Sequence, residues 1–514
     1  MNIIKRSSLV VTLSALIFYG VYAQQTQNTL VVYANQGTDT INKNIYGHFA
    51  EHLGRCIYGG IWVGEGSPIP NTRGIRNDVI EALKEISIPV IRWPGGCFAD
   101  TYHWMDGIGP RKDRPEFVNV TWGDVVEDNS FGTHEFLDFC ELIGADPYLA
   151  VNVGSGTVQE ARDWVAYVNS DKGPMADLRR ENGHEEPWDV KFWGIGNESW
   201  GCGGNMTAAF YSNLFKQYAT FCSGENKIAS GGMSHDLDWT ETVMKNTEHY
   251  QHLIQGYSYH YYTVCNTWAN KGSATDFDKD EWFNSMSKTW FVDENLNQHS
   301  QIMDKYDPDK KVALIADEWG NWFDVEPNTN PAFLYQQNTL RDAVTAGLYL
   351  NIFNNHCNRV KMANIAQTVN VLQSVLLTQG DQMVKTPTFY VFKMYKVHQD
   401  ATLLPVELQS NNYGNSDEAI PALSVSASLD KEGRIHISIV NLDPDNPQNL
   451  SCEIPGQAVS KVSGEIITAD QMNAYNDFNS DEKVNIQPFK SFSLKKQILS
   501  VELPPKSVVM LELE

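Results

Sequence analysis

The feature that most constrains the fold is an alternation of strand-like and helix-like segments that repeats between residues 45 and 384. Strand-like runs, several of them continuously apolar, begin near Tyr46, Val90, Tyr148, Val190, Ile228, Tyr257, Val312 and Val360. Segments with helical spacing of apolar residues lie between them, such as 136–143, which ends at Gly144. Eight strand–helix units predict an α/β chain folded as a (β/α)8, or TIM, barrel. The alternative, an open doubly wound sheet, lacks support because no glycine-rich phosphate loop follows the first strand.

The sequence changes character after residue 384. Strand-like pieces separated by turn residues follow, including 423–427, 435–440 and 508–511. This pattern predicts an antiparallel, jelly-roll-like β-sandwich over residues 385–514. The barrel then occupies residues 45–384. Residues 24–44 are expected to supply one strand, 29–33, that joins the sandwich.

The first 23 residues have the pattern of an export signal. Lys5 and Arg6 precede an apolar run over 9–22, and small Ala23 closes it. The run is shorter than the roughly 20 apolar residues that span a membrane. The pattern therefore predicts a signal peptide over 1–23, cleaved near Ala23. We expect an exported protein, periplasmic or extracellular, without a membrane anchor.

Charge and cysteine content exclude several classes of function. Acidic residues number 63 and basic residues 39, giving a net charge of −24. A nucleic-acid partner is not expected, because phosphate binding needs clustered basic side chains. The eight cysteines are widely spaced and form no CxxC pair. This argues against a structural zinc site or a disulfide-stapled miniprotein and leaves any disulfide pairing open.

Two glutamates follow apolar runs that are expected to be strands four and seven. Glu198 ends the segment GIGNE, and Glu318 lies within ADEWG. Active sites of such barrels lie at the C-terminal ends of the strands, so the two carboxylates are expected to meet at the barrel mouth. Acetal hydrolysis needs one carboxylic acid to protonate the leaving oxygen and one carboxylate to attack or to activate water. The pair therefore predicts a glycoside hydrolase.

Six motifs in order give this chain a family resemblance. They are GHFAEH at 47–52, RWPGG at 92–96, HWMDGIGP at 103–110, GIGNE at 194–198, HYY at 260–262 and MANIAQ at 362–367. With them the chain resembles the α-L-arabinofuranosidases of glycoside hydrolase family 51. The resemblance implies an exo-acting, retaining enzyme that removes terminal arabinofuranosyl groups from plant oligo- or polysaccharides, with no cofactor and no metal. It also suggests a homo-oligomer, since family members are often oligomeric.

The resemblance assigns roles to residues around the scissile bond. Glu198 is the expected general acid/base, and Glu318 is the expected nucleophile. Arg92 and Tyr262 are expected to hold Glu318, and Asn197 is expected to bond the sugar 2-hydroxyl. A plain ion pair for Arg92 and barrel packing for Tyr262 are the alternatives.

Four further residues match positions around the sugar ring. Glu51 and Gln367 are expected to bind furanose hydroxyls, against a solvated or merely structural polar role. Cys97 is expected to line the pocket as a thiol, where some relatives carry Asn. Trp122 is assigned to stacking on a neighbouring sugar, and packing in the core is its alternative.

Three other functions fit parts of the sequence. Residues 48–52 spell H-x-x-E-H, an inverted zinc-protease motif that requires a helix, whereas here a strand is expected. A non-catalytic sugar-binding barrel would have lost one of the two glutamates. The same barrel acting on another glycoside, as an endo-β-glucanase or a xylosidase, depends on loop geometry that the sequence does not give.

Overall fold

The computed structural model describes residues 28–414 and 418–514. Its centre is a closed barrel of eight parallel strands, whose order around the barrel follows the chain. The strands are Gly47–Phe49, Val90–Trp93, Asp146–Val151, Phe192–Ile195, Asn226–Ala229, Gly256–Thr263, Ala313–Asn321 and Val360–Ala366. We number them one to eight. The predicted barrel is confirmed, and its strands start at or near the predicted positions.

A helix follows every barrel strand. The α-helices are Asn77–Glu85, Thr133–Ile143, Val158–Asn169, Pro174–Glu181, Ala208–Phe221, Leu237–Thr247, Lys279–Tyr306, Leu340–Asn355 and Pro387–Tyr395. Thr157, Thr207 and Thr386 each cap a helix by accepting a backbone N–H bond. Gly144 ends its helix in the left-handed conformation with φ of +77°. Local sequence signals thus set the helix boundaries.

Side chains from strands two, three, five, seven and eight pack together in the barrel interior. Val90, Tyr148, Ile228, Ile315 and Met362 form one packed apolar cluster there. A filled interior is typical of such barrels, whose active sites are built from the loops at the C-terminal ends of the strands.

Two sheets form the C-terminal sandwich around a separate apolar core. The five-stranded sheet has the order Val406–Gln409, Asn28–Val32, Gln448–Glu453, Ile498–Leu503, Phe492–Lys495. The six-stranded sheet has the order Thr402–Leu403, Leu423–Leu429, Ile435–Asn441, Ser507–Leu513, Val462–Ile467, Gln487–Pro488. The strand Asn28–Val32 lies between its two neighbours, antiparallel to one and parallel to the other.

Helix Leu340–Asn355 joins the two parts. Nearly all its residues are buried, since it packs on the barrel and also contacts the six-stranded sheet. Asn351 bonds to Ser424 and Ser438 of that sheet at 3.2 and 2.7 Å. Helix Pro387–Tyr395 packs beside it, so a barrel helix lies beyond residue 384.

The proposed signal peptide lies outside the described residues. Within 28–414 and 418–514, no helix combines the length and apolarity that crossing a membrane requires.

Candidate active site

The two glutamates meet at the C-terminal mouth of the barrel. Glu198 follows strand four, and Glu318 lies within strand seven. One carboxylate oxygen of Glu198 lies within 4.8 Å of one oxygen of Glu318. Both side chains line the same cavity. Strands four and seven, distant in sequence, thus bring two carboxylates close together at one edge of the cavity.

Both oxygens of Glu318 are held by donors. Arg92 at the end of strand two donates to Oε1 at 2.8 Å, and the Tyr262 hydroxyl donates to Oε2 at 2.9 Å. The neighbouring Asp317 lies 3.6 Å from the Arg92 Nε atom. Burial opposes ionisation of Asp317, but the charges of Arg92 and His260 lower its pKa. The predicted pairing of Arg92 and Tyr262 with Glu318 is present in the geometry, and Glu318 is fixed in one orientation.

His260 lies between the acidic side chains. Its Nδ1 atom is 2.9 Å from Glu198 and 3.6 Å from Glu318, and its Nε2 atom is 3.3 Å from Asp317. Burial acts to lower the pKa of His260, but Glu318, Asp317 and Glu198 together raise it to about 10. The imidazole is therefore a cation at neutral pH, and it balances part of the negative charge of the site.

Glu198 sits on a loop with unusual backbone geometry. Its φ is +40°, a left-handed conformation that costs energy for a residue with a side chain. The preceding Asn197 is held on both sides. Its backbone N–H donates to buried Asp100 at 3.2 Å, and its side-chain oxygen accepts from Arg92 at 2.6 Å. The side-chain amide nitrogen of Asn197 lies 3.9 Å from the sulfur of Cys202.

A second polar cluster surrounds Glu51 after strand one. Trp122 donates to one oxygen of Glu51 at 3.0 Å, and Gln367 donates to the other at 2.8 Å. The backbone N–H of Gly96 also bonds Glu51 at 2.9 Å. Burial and the charge of Glu318 raise the pKa of Glu51 to about 7 against these donors. The side-chain oxygen of Gln367 is buried without a protein partner, which suits a sugar hydroxyl.

Trp122 reaches this cluster from a hairpin. The strands Phe117–Asn119 and Val125–Glu127 pair, and the turn between them carries Trp122. Its indole N–H is committed to Glu51, and its ring lines the cavity. The ring is thus part of the cavity wall, and stacking of Trp122 on a neighbouring sugar stays a prediction.

The cavity holds about 570 Å³. Its lining combines polar side chains, among them Glu51, Glu198, Glu318 and Gln367, with apolar and aromatic ones. The latter include Leu53, Trp200, Met233, Tyr261, Val264, Trp268, Phe291, Trp322, Leu334 and Leu372. Such a mixture suits a sugar ring, whose hydroxyls form hydrogen bonds and whose C–H faces pack on aromatic rings.

Cys97 lines the cavity, but it is not the free thiol that the sequence analysis expected. It forms a disulfide with Cys202, 105 residues later. Sequence spacing cannot predict such a bridge, because it depends on two loops meeting in space. Cys56, Cys140, Cys222, Cys265, Cys357 and Cys452 are buried free cysteines.

The side chains of the H-x-x-E-H segment engage separate partners. His48 lies on strand one and packs against Phe392, with ring centroids 4.8 Å apart, while His52 pairs with Glu127 at 3.1 Å. Glu51 is engaged by Trp122 and Gln367. His48, Glu51 and His52 therefore each contact different residues and do not converge on one point, as the ligands of a zinc site would.

Three residues of the site were not predicted from the sequence. His260 belongs to the HYY motif and Asp317 precedes Glu318, so their positions at the ends of strands were the available signals. Cys202 follows Glu198 by four residues, and no local signal marks it.

Comparisons with known proteins agree with this geometry. A family model described as the α-L-arabinofuranosidase 1 domain matches residues 82–280, and one described as the α-L-arabinofuranosidase C-terminal domain matches residues 317–507. A Bacteroides ovatus protein named intracellular exo-α-L-arabinofuranosidase is 52% identical over 95% of this chain and 96% of its own length.

Solved structures of similar proteins match over nearly the whole chain. A GH51 arabinofuranosidase from Xanthomonas axonopodis pv. citri is 46% identical, with a TM-score of 0.93 over 95% of this chain and 100% of that one. An α-L-arabinofuranosidase from Thermotoga maritima, solved with arabinose, is 31% identical, with a TM-score of 0.81 over 95% of this chain and 99% of that one.

The Bacteroides comparison corrects one expectation. That relative is named an intracellular enzyme, which contradicts the predicted export of this chain to a periplasm or the medium. The prediction of export is wrong. An apolar run behind two basic residues is a compositional pattern, and composition alone does not determine where a chain resides.

Proposed function

The chain belongs to the α-L-arabinofuranosidases of glycoside hydrolase family 51, exo-acting glycoside hydrolases, and we propose that it cleaves arabinofuranosides with retention through Glu198 and Glu318. The observation that carries the proposal is the separation of the two carboxylates, within 4.8 Å. Retaining glycosidases hold their carboxyl groups about 5–5.5 Å apart, whereas inverting ones leave about 6.5–9.5 Å for a water. Direct attack by a side chain is thus favoured over attack by water in the first step.

In the first step, Glu318 attacks the anomeric carbon and Glu198 donates its proton to the leaving oxygen. Arg92 and Tyr262 orient the attacking carboxylate. The C–O bond to the leaving group breaks as a C–O bond to Glu318 forms. In the second step, Glu198 takes a proton from water as the water oxygen attacks the anomeric carbon. The C–O bond to Glu318 breaks, which regenerates the Glu318 carboxylate and releases arabinose with its original configuration.

Glu51, Gln367 and Asn197 hold the furanose during both steps. Gln367 donates a hydrogen bond to Glu51, and both side chains line the cavity. The Glu51 carboxylate and the Gln367 amide are therefore held in place to bind ring hydroxyls. Asn197 is fixed by Arg92 and bonds the 2-hydroxyl. Contacts of that kind strengthen as the ring gains positive charge in the transition state.

The substrates proposed are arabinofuranosyl side groups of plant arabinan or arabinoxylan and the oligosaccharides derived from them. These sugars are neutral, which suits a chain with a net charge of −24. A homo-oligomer is proposed on family resemblance alone, and light scattering of the purified protein tests it.

The proposal is tested by 4-nitrophenol release from the α-L-arabinofuranoside, the β-D-xyloside and the β-D-glucoside, each with and without EDTA. We expect the arabinofuranoside to be cleaved at least a hundredfold faster than the other two, with no effect of EDTA. Faster cleavage of the xyloside or glucoside would favour the alternative glycosidases. Arabinose alone as the product of arabino-oligosaccharides indicates exo action, whereas shorter oligosaccharides indicate endo action.

A further inference from the structure

The Cys97–Cys202 disulfide links the two segments that support the catalytic carboxylates. Cys97 follows Gly96 at the end of strand two, and Cys202 belongs to the loop that begins at Glu198 after strand four. The bridge spans 105 residues of sequence and brings the two Cα atoms to 5.5 Å. Within 28–414 and 418–514 it is the one disulfide.

The Cys97 end of the bridge is rigid. The backbone N–H of Gly96 donates to Glu51 at 2.9 Å. A Cβ atom on Gly96 would lie 2.6 Å from Oε1 of Glu318, so this backbone touches the nucleophile and only glycine fits. Cys97 is therefore anchored beside Glu318.

The Cys202 end is held far less by other contacts. Residues 201, 203 and 204 are glycines, and fixing a glycine-rich loop in one conformation costs more backbone entropy than fixing other residues. Most hydrogen bonds of this loop are internal, such as those from the Gly201 and Gly203 N–H groups to the Glu198 carbonyl at 2.7 and 3.2 Å. Within the described part of the chain, the loop has two hydrogen bonds to the rest of the barrel, from the N–H of Ser199 to Ser230 at 3.3 Å and between the Glu198 carboxylate and His260 at 2.9 Å.

The sulfur of Cys202 also touches the acid/base side chain. It lies 3.6 Å from Oε2 of Glu198 and 3.9 Å from Nδ2 of Asn197. The strained backbone of Glu198, with φ of +40°, needs surroundings that hold it in place. The bridge supplies such a restraint four residues away.

We propose that the Cys97–Cys202 disulfide is a positioning element that keeps Glu198 in protonating range of the leaving oxygen, so that opening the bridge selectively slows cleavage of poor leaving groups. This inference rests on the proposed role of Glu198 as the acid. Arg92 and Tyr262 hold Glu318 independently of the bridge, so opening the bridge should leave nucleophilic attack by Glu318 unaffected.

The disulfide is accessible to a reductant in solution. Cys202 is exposed and Cys97 is half-buried, whereas the six free cysteines of the described residues are buried. A dithiol such as dithiothreitol transfers two electrons and two protons to the bridge. The protein S–S bond breaks to give two thiols, and the reductant closes its own disulfide.

The test compares oxidised, reduced and reoxidised protein on two substrates. Methyl α-L-arabinofuranoside needs a proton on its leaving oxygen, and 4-nitrophenyl α-L-arabinofuranoside needs little. Iodoacetamide labelling followed by mass spectrometry counts the thiols that reduction exposes. We expect two new thiols and a fall in kcat/KM of at least about tenfold for the methyl glycoside, since general acid catalysis contributes about 10²–10⁴-fold. The 4-nitrophenyl glycoside should change less than about threefold, and reoxidation should restore both values.

Variants make the test independent of how readily the bridge is reduced. The double variant Cys97→Ser/Cys202→Ser should behave like reduced protein and be indifferent to dithiothreitol. Cys452→Ser, which removes a buried thiol from the sandwich, is the matched control and should keep the response of the parent to reduction.

Two results would overturn the proposal. An equal loss on both substrates would mean that the bridge has a general structural role, and no loss on either would mean that it has none in catalysis. Glu198→Ala is measured alongside. If it too lacks any dependence on the leaving group, the proposed function itself fails, and the two failures are thereby separated.

Discussion

The Nδ1 atom of His260 lies 2.9 Å from a carboxylate oxygen of Glu198. The acid/base candidate is thus paired with a cation in the free enzyme, and the same imidazole approaches Glu318 and Asp317. The imidazole therefore places a positive charge beside both reacting carboxylates. This arrangement suits a reaction in which one carboxylate loses its charge while the other changes its protonation.

Replacing His260 with Gln should change how stability depends on pH. The pKa of His260 is about 10 in the folded protein, above its ordinary value of about 6.5. A raised pKa contributes stability that is fully present below pH 6.5 and is lost as the pH rises through 10. The free energy of unfolding of the parent should therefore fall by on the order of a few kcal/mol more than that of the variant over this window.

Urea unfolding of both proteins at pH 6, 8 and 10 measures this difference. Parallel curves for the two proteins would show that folding does not raise the pKa of His260.

Replacing Glu318 with Ala should abolish turnover. Without the nucleophile, kcat/KM for 4-nitrophenyl α-L-arabinofuranoside should fall on the order of 10³-fold or more. Added azide fits the space left by the carboxylate, and it should attack to give the arabinosyl azide of inverted configuration. NMR of the product checks this. Asp324→Ala, on the same side of the barrel but outside the cavity lining, is the control and should retain activity. Substantial activity without azide would exclude Glu318 as nucleophile.

Replacing Glu198 with Ala should affect substrates according to their leaving groups. The methyl glycoside should lose about 10²–10⁴-fold in kcat/KM, because it needs general acid catalysis. The 4-nitrophenyl glycoside should lose far less, and its kcat should recover with azide, which needs no base. Its product should be the arabinosyl azide of retained configuration. A uniform loss across aryl glycosides with different leaving-group pKa values would contradict the assignment.

Replacing Glu51 with Gln should remove a pH dependence of substrate binding. The pKa of Glu51 is raised to about 7, chiefly by burial and also by the charge of Glu318. The ionised form accepts sugar hydroxyl bonds best. KM of the parent should therefore fall as the pH rises from 6 to 8, while KM of the variant is higher and flat. Buried Asp100 also has a pKa of about 7 and is unchanged in the variant, so a slope that persists there would assign the effect to Asp100.

Much of the fold could be predicted from the sequence because each strand and helix is marked by the pattern of apolar residues within its own segment. Strands such as Val90–Trp93 and Val360–Ala366 are buried on both faces, so their apolar runs mark them directly. Glu198 and Glu318 were predictable as neighbours because parallel strands place their C-terminal ends at one edge.

The remaining features depend on contacts between distant loops. The Cys97–Cys202 bridge and the placement of Trp122 beside Glu51 each need two loops to meet, and neither spacing nor periodicity encodes that. The charge of His260 arises from three carboxylates that come together only in the fold. The export prediction failed for a different reason, since it rested on composition alone.

The stereochemistry of transfer tests the central claim most directly. With 4-nitrophenyl α-L-arabinofuranoside as donor and methanol as acceptor, NMR identifies which methyl arabinofuranoside forms first. Two carboxylates within 4.8 Å predict the α-anomer, because two successive inversions restore the configuration. The β-anomer as the initial product would mean a single displacement and would contradict the roles assigned to Glu198 and Glu318.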